Sequence, residues 1–229
     1  MAGTAIFDLD RTITRSPTWT PFLFHVNGLR PAFLVRFLLL ALHMIGYKLK
    51  LASRDSIKAH GVRTLAGIDR ATLQAKADAF VADRMAHDLR PGARAAITFH
   101  RTRGDRLILA TAAVDIVAEP FGRALGFDEV IATRLSWSAG ASVPMLDGAN
   151  CYGTEKLRRI SEIHALHPFG GPVFAYSDHV SDLKLLCQAD HGIAVNPSFG
   201  LRRAAPTCGI KIVDFDAPPS FPTTMEQTQ

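Results

Sequence analysis

From residue 89 onward, apolar runs of strand length alternate with helix-like stretches, and this alternation restricts the fold more than any other feature of the chain. "RPGARAAITFHRTRG" has a Pro-Gly start and helical composition, and "DRLILAT" is an apolar strand that ends on a polar residue. "VAEPFGRALGF" reads as a helix interrupted by its proline, "EVIATRL" as a strand and "TEKLRRISEIHALH" as a helix. "GPVFAYSD" is again a strand, "VSDLKLLCQA" a short helix and "HGIAVNP" a further strand. Such a pattern predicts an α/β fold with a parallel sheet whose crossover helices cover both faces. "TAIF" adds a strand at the N-terminus. Residues 17–88 between it and the alternating region read as mostly helical, with breaks at Asn27-Gly28, Gly46, Gly61 and Gly67. Asp69 is placed to cap the helix that begins "ATLQAKADAF". The expected organisation is a core of residues 1–14 and 89–229 with a helical insert at 15–88, and 229 residues with 48% hydrophobic content suffice for a packed core.

In sheets of this kind ligands bind beyond the carboxyl ends of the strands, where loops from different strands meet. The candidates for chemistry are therefore Asp8 and Asp10 after "TAIF", Thr111 after "LILA", and Ser177, Asp178 and Asp182 after "VFAY". Lys156 joins them from the start of the helix that precedes the last of these strands. Each has a plain structural reading when taken alone. "DLDRT" would pass for a strand running into a turn, Thr111 for a strand-end cap, Lys156 for a solvated first-turn residue and Asp182 for a helix cap. Together they direct four carboxylates, two hydroxyls and a lysine at one crevice, and the repulsion among the carboxylates needs a cation or protonation to relieve it. Aspartate oxygens without a His or Cys partner suit a hard cation, and Mg²⁺ held by one or two carboxylates beside a phosphate is the usual arrangement. That points to phosphoryl transfer, in which one carboxylate attacks phosphorus and its neighbour two residues on handles the leaving-group proton. His179 and His191 fit no pattern of partners and read as structural.

The ordered set Asp8-Leu9-Asp10-Arg11-Thr12, Thr111, Lys156 and Ser177-Asp178-His179-Val180-Ser181-Asp182 resembles the four motifs of the haloacid dehalogenase superfamily, over residues 3 to about 198. The resemblance implies a Rossmann-like parallel-sheet core with a helical cap inserted after the first strand, and a Mg²⁺-dependent phosphomonoester hydrolase working through an aspartyl-phosphate. By it, Asp8 is the nucleophile, and Asp10 protonates the leaving oxygen and then activates water. Thr111 and Lys156 hold the transferring phosphoryl group. Asp8, the Asp10 main-chain carbonyl and Asp178 surround Mg²⁺, with Asp182 orienting metal-bound water from behind. The acid at position 10 separates this pattern from the superfamily's dehalogenases and pump-type ATPases, which implies a phosphatase or phosphotransferase. The insert is similar to the cap of the phosphoserine-phosphatase-like branch (subfamily IB), although "TRSPTW" and "TAAVD" stand where that enzyme carries its substrate-ammonium acid and its Gly-Gly pair. A weaker resemblance, in the apolar basic insert, in "GTEKLRRI" and in "YSDHVSDLKLLCQADHGIAVNP", is to bacterial phosphatidylglycerophosphatase C.

The formal charge of +5 is unevenly placed. Residues 25–64 hold Arg30, Arg36, Lys48, Lys50, Arg54, Lys58 and Arg63 against Asp55 alone, and seven minus one gives +6. The same segment contains the most apolar run, "PAFLVRFLLLALHMIGY". Basic and apolar together suit an anionic, partly apolar partner such as a membrane surface or a lipid phosphate, with Arg30 and Arg36 as the cap residues that would meet substrate. The alternative is a buried helix whose flanking cations are merely solvated. A transmembrane span is disfavoured, because the run sits at the lower limit of about 17–25 residues and contains Arg36 and His43. The expected substrate is thus a small organic phosphate or a lipid phosphate, with phosphatidylglycerophosphate at the membrane surface as the specific alternative. A non-catalytic nucleic-acid-binding module is the competing class. Its support is the charge alone, the segment lacks interleaved aromatics, and no nucleic-acid partner is expected. Cys151, Cys187 and Cys208 form no CxxC pair and no secretory leader is visible, so a reduced cytoplasmic location is expected, including a peripheral place at the inner face of the membrane. The Pro-rich tail "APPSFPTT" reads as loosely packed.

Overall fold

Side-chain alternation along the strands sorts the core into two layers. The computed structural model describes residues 2–48, 54–137 and 143–217. Strand β1 (Thr4–Phe7) is followed by helices α1 (Trp19–Asn27), α2 (Pro31–Lys48), α3 (Arg54–Arg63), α4 (Arg70–His87) and α5 (Pro91–Thr102). Then come β2 (Arg106–Val114), α6 (Asp115–Leu125), β3 (Glu129–Thr133), a hairpin of β4 (Leu135–Trp137) and β5 (Pro144–Leu146), and α7 (Thr154–Leu166). The chain closes through β6 (Val173–Ser177), α8 (Leu183–Gln188), β7 (His191–Val195), α9 (Phe199–Ala204) and β8 (Lys211–Val213). Six strands form one sheet in the order β3-β2-β1-β6-β7-β8, every neighbouring pair parallel. Ile6, Ile108, Ala110 and Ala175 pack with Ile160 of α7 and Leu186 of α8 on one side of the sheet. Their neighbours in the strands, Phe7, Leu109 and Tyr176 among them, pack with Ala96 of α5 and Phe121 of α6 in a second cluster. Both faces are covered, as a parallel sheet demands.

The helical insert after β1 leaves and rejoins the core through a narrow neck. The Arg15 N–H donates to the Asp88 carbonyl at 2.8 Å and the Arg90 N–H to the Ile13 carbonyl at 3.0 Å, while Thr14 and Leu89 form an antiparallel bridge. Asp69 caps α4 as its sequence suggests, its carboxylate accepting the Thr72 N–H at 2.9 Å. Gly28 and Gly67 end helical segments with φ of 62° and 85°. Gly46 and Gly61, in contrast, break nothing: α2 and α3 run through them. At Gly61 the reason is contact, because a Cβ there would stand 2.9 Å from Trp19 Nε1. The missing side chain admits the indole, which offsets the helix penalty of about 1 kcal/mol that glycine carries.

Further departures from the sequence reading lie in the core. Helix α6 continues across the buried Pro120 rather than stopping at it. Strand β2 runs three residues past Thr111 to Val114, and "EVIATRL" splits at Arg134 into a sheet strand and one arm of the small hairpin. Cys187 and Cys208 are joined by a disulfide with a Cα–Cα separation of 5.4 Å. A spacing of 21 residues carries no local signature, and only the passage through α8, β7 and α9 brings the two together. The cysteines therefore lend no weight to a reduced compartment. The tail signal falls almost wholly on residues outside those described. Among the described residues no helix is long and apolar enough to cross a membrane.

One polar cluster sits inside the core. His100 Nδ1 lies 2.7 Å from Asp105 Oδ2 and its Nε2 2.8 Å from the Tyr176 hydroxyl, while the other Asp105 oxygen accepts the Gly3 N–H at 2.7 Å. These partners suit a neutral ring that donates from Nδ1 and accepts at Nε2. Burial is the main cause that lowers the His100 pKa, with Asp105 opposing it. A depressed histidine favours folding while the ring is neutral in both states, and that advantage fades as pH falls below the unfolded value of about 6.5. The lead in thermal midpoint of wild type over His100→Gln should be largest near pH 7.5 and shrink toward pH 5.5; a lead that grows on acidification contradicts the neutral assignment.

Candidate active site

Register brings the candidate residues together. Phe7 of β1 pairs with Tyr176 of β6 on one side and with Leu109 of β2 on the other, so Asp8 just past β1, Ser177 at the end of β6 and Thr111 two residues past Leu109 within β2 fall at neighbouring levels of three adjacent strands. The Asp8 N–H extends the ladder by donating to the Tyr176 carbonyl at 2.9 Å. Lys156, on the first turn of α7 and only 3% exposed, reaches the same point from the next layer. Its Nζ lies 2.9 Å from Asp8 Oδ1 and 2.7 Å from Asp182 Oδ2. Ser177 Oγ donates to that Asp182 oxygen at 2.8 Å. Asp182 therefore does not act as a helix cap, and its carboxylate makes no capping bond to α8. Its charge is spent on holding the lysine.

The electrostatics follow from this packing. Burial works against a charged Lys156, but Asp182 and Asp8 overcome it and hold its pKa above the ordinary lysine value, so the ammonium persists. Burial raises Asp8 above the usual carboxylate range; Lys156 opposes the rise, and Asp182, Asp178 and Asp10 add to it. Asp178 is pushed up to about 6, chiefly by burial and also by Asp182, against the pull of Arg11. Asp10 is raised as well, burial outweighing the hydrogen bond that its Oδ1 accepts from the Thr18 N–H at 2.8 Å. That bond ties Asp10 to the residue preceding α1, the first helix of the insert. Thr111 is fully buried; its Oγ1 accepts the Ala113 N–H at 3.0 Å, which leaves the hydroxyl proton to be donated elsewhere.

Among the described residues, no three His, Cys, Asp or Glu side chains gather into a metal-holding group. Asp8 and Asp178 supply two carboxylates, both held above their normal pKa by burial and by neighbouring acids. A small hard cation that keeps several waters asks for only one or two carboxylates, and it would remove the repulsion between these two. The oxygen-only donor set thus fits Mg²⁺.

A further cation near the acids, Lys58, does not stand out in the sequence from the other basic residues of the insert. Lys58, on α3 of the insert, is buried, donates to the Ala112 carbonyl one residue past Thr111, and lies 5.1 Å from the centre of the Trp19 ring. Burial lowers its pKa to about 8, with Asp10 as the leading charge that opposes the shift. The available signal was a lysine on the otherwise apolar stripe shared with Gly61, Val62 and Leu65. Arg30 and Arg36 are exposed, and neither is among the leading charges acting on Asp8, Asp10 or Asp178. His179 does have partners: its Nδ1 stands 3.2 Å from the Tyr152 hydroxyl and 3.0 Å from Ser181 Oγ.

A six-stranded parallel sheet thus carries several acids and an ion-paired lysine at the carboxyl ends of its central strands, the place where Rossmann-like folds bind ligands. The family model described as haloacid dehalogenase-like hydrolase matches residues 5–186, which include every one of these side chains. The chain belongs to that family. Protein CicA of Caulobacter vibrioides is 36% identical over 189 residues, covering 80% of this chain and 82% of CicA. A probable phosphatase of Mycobacterium tuberculosis is 29% identical over 170 residues, covering 73% of this chain and 58% of that protein. A substrate-bound phosphoserine phosphatase superposes with a TM-score of 0.64 at 15% identity, covering 93% of each chain, and thereby shows the phosphoserine-phosphatase-like fold. The narrower likeness to phosphatidylglycerophosphatase C draws no support from these matches.

Proposed function

We propose that this chain is a Mg²⁺-dependent phosphomonoesterase that passes the phosphoryl group first to Asp8 and then to water, beneath a cap formed by residues 15–88. The observation that carries the reading is the pairing of Asp8 with a buried, persistently charged Lys156, beside an Asp10 whose pKa burial raises. An Asp8 oxygen attacks phosphorus as the ester P–O bond breaks, and the departing alkoxide takes a proton from Asp10. Asp10, now ionised, accepts a proton from water as that water attacks the phosphorus of the acyl phosphate; inorganic phosphate leaves and Asp8 is restored. Lys156 and the Thr111 hydroxyl neutralise and orient the phosphoryl oxygens, and Asp182 and Ser177 keep the lysine aimed. Mg²⁺, held by Asp8, Asp178 and the Asp10 carbonyl, would add positive charge to the same oxygens. The named phosphatases among the similar proteins support the choice of phosphate chemistry.

The paired neck at residues 13–15 and 88–90 supports a cap that moves as a unit. Caps of this kind exclude water and choose substrate. Lys58 supports a role in that choice, since it brings a cap cation to the strand that carries Thr111. The substrate is accordingly a phosphomonoester, soluble or lipid, with a second polar or anionic group near the ester. Phosphate release should be measured with and without Mg²⁺ over a panel of soluble phosphomonoesters and detergent-dispersed lipid phosphates. Mg²⁺-dependent release from members of the panel is expected, and none from any of them overturns the reading. A charge-assisted hydrogen bond is worth about 1.5–3 kcal/mol. With the preferred ester, Lys58→Met should therefore raise KM by roughly 10- to 100-fold while kcat changes less.

A further inference from the structure

Helix α2 presents two unlike faces. Phe33 is 3% exposed, and Phe33 and Phe37 stack edge-on with Phe24 of α1 at 5.1 and 4.7 Å. On the opposite side Leu34, Val35, Leu38 and Leu39 are 42, 62, 61 and 50% exposed, and Leu29 just before the helix is 77% exposed. At about 100° per residue these four helical positions span an arc of about 140°. Arg36 stands at the edge of that arc and exposed Arg30 at its beginning, and α2 contains no acidic residue. Apolar side chains exposed side by side along one helix face, unlike leucines scattered singly over a surface, offer a surface for a partner.

We propose that this face of α2 docks the protein on an anionic lipid surface. Two features select that occupant. The arc is wholly apolar at its centre, which suits acyl chains, and its flanking charges are of one sign, which suits a negatively charged headgroup layer. A second copy of the same face would bring like charges together, so self-association is the poorer match. Besides α1, α2 packs against α3, the helix that carries Lys58, so a docked α2 holds the cap of the site beside the lipid.

The test is co-sedimentation of the full-length protein with vesicles of phosphatidylcholine alone and with about one third phosphatidylglycerol, at physiological salt. Wild type should bind the anionic vesicles and remain largely unbound with the neutral ones. Leu34→Gln/Leu38→Gln keeps helix-forming residues at both positions; it should lower binding at least ten-fold while its melting curve and its turnover of a soluble ester stay those of wild type. Asp8→Asn should bind like wild type, which separates this result from the phosphatase reading. Three outcomes overturn the proposal: no vesicle binding by wild type, equal binding by the double variant, or a dimer in sedimentation velocity that the double variant dissociates without any vesicle binding.

Discussion

Asp8→Asn should abolish phosphate release, lowering kcat by at least roughly 10³-fold, as expected when the group that forms the covalent bond is removed. The same variant should fold with undiminished stability. Burial already disfavours the charged form of Asp8, and Lys156 keeps Asp182 as a partner 2.7 Å away. The neutral amide therefore relieves repulsion with Asp178 and Asp10 without stranding the lysine. Paired measurements of phosphate release and thermal melting separate this outcome from simple unfolding. Turnover within ten-fold of wild type in a folded variant removes Asp8 from the chemistry.

Lys156→Met should have the largest effect on stability, because it deletes the one charge that bridges two buried acids. Asp8 and Asp182 are left facing each other, and breaking a buried ion pair by removing one partner costs about 3–5 kcal/mol. Activity should fall by roughly 10²–10³-fold as well, the scale associated with losing one preorganised charge at a transition state. The deficit has a pH signature. A carboxylate whose folded pKa lies above its unfolded value of about 3.9 takes up protons in the folded state first, so its penalty is relieved as pH falls through the folded value. Urea titrations in chelator should show a large loss of stability at pH 7.5 that narrows by pH 5. A loss that is small, or equal at both values, means that Lys156 is not the counter-charge of this cluster.

The catalytic side of the molecule was legible because parallel-sheet geometry ties function to sequence position. A polar residue directly after an apolar strand has to emerge at the carboxyl edge, and Asp8 and Asp178 do so whatever the helices between them contain. Lys156 and Asp182 were readable as participants but not as each other's partner, since their contact joins a helix to the loop after a different strand. Local propensity failed where a tertiary contact decided the issue. Gly61 stays helical because Trp19 needs the space, and the Cys187–Cys208 bond depends on the packing of three elements. Lys58 was counted as one charge among seven, because nothing local distinguishes a lysine that folds back over the site from one left in solvent. Arg30 and Arg36 had the same local appearance and ended on the outside.

Chemical trapping of the covalent intermediate tests the central claim most directly. Asp10→Asn, supplied with an activated aryl phosphate whose leaving group needs no proton, should form the acyl phosphate at Asp8 and hydrolyse it slowly. Quenching with borohydride reduces an acyl phosphate to the alcohol, and peptide mass spectrometry then reads homoserine at position 8. Recovery of that residue in step with aryl release is the predicted result. Stoichiometric aryl release with an unmodified Asp8, or with the phosphoryl group on any other residue, contradicts it.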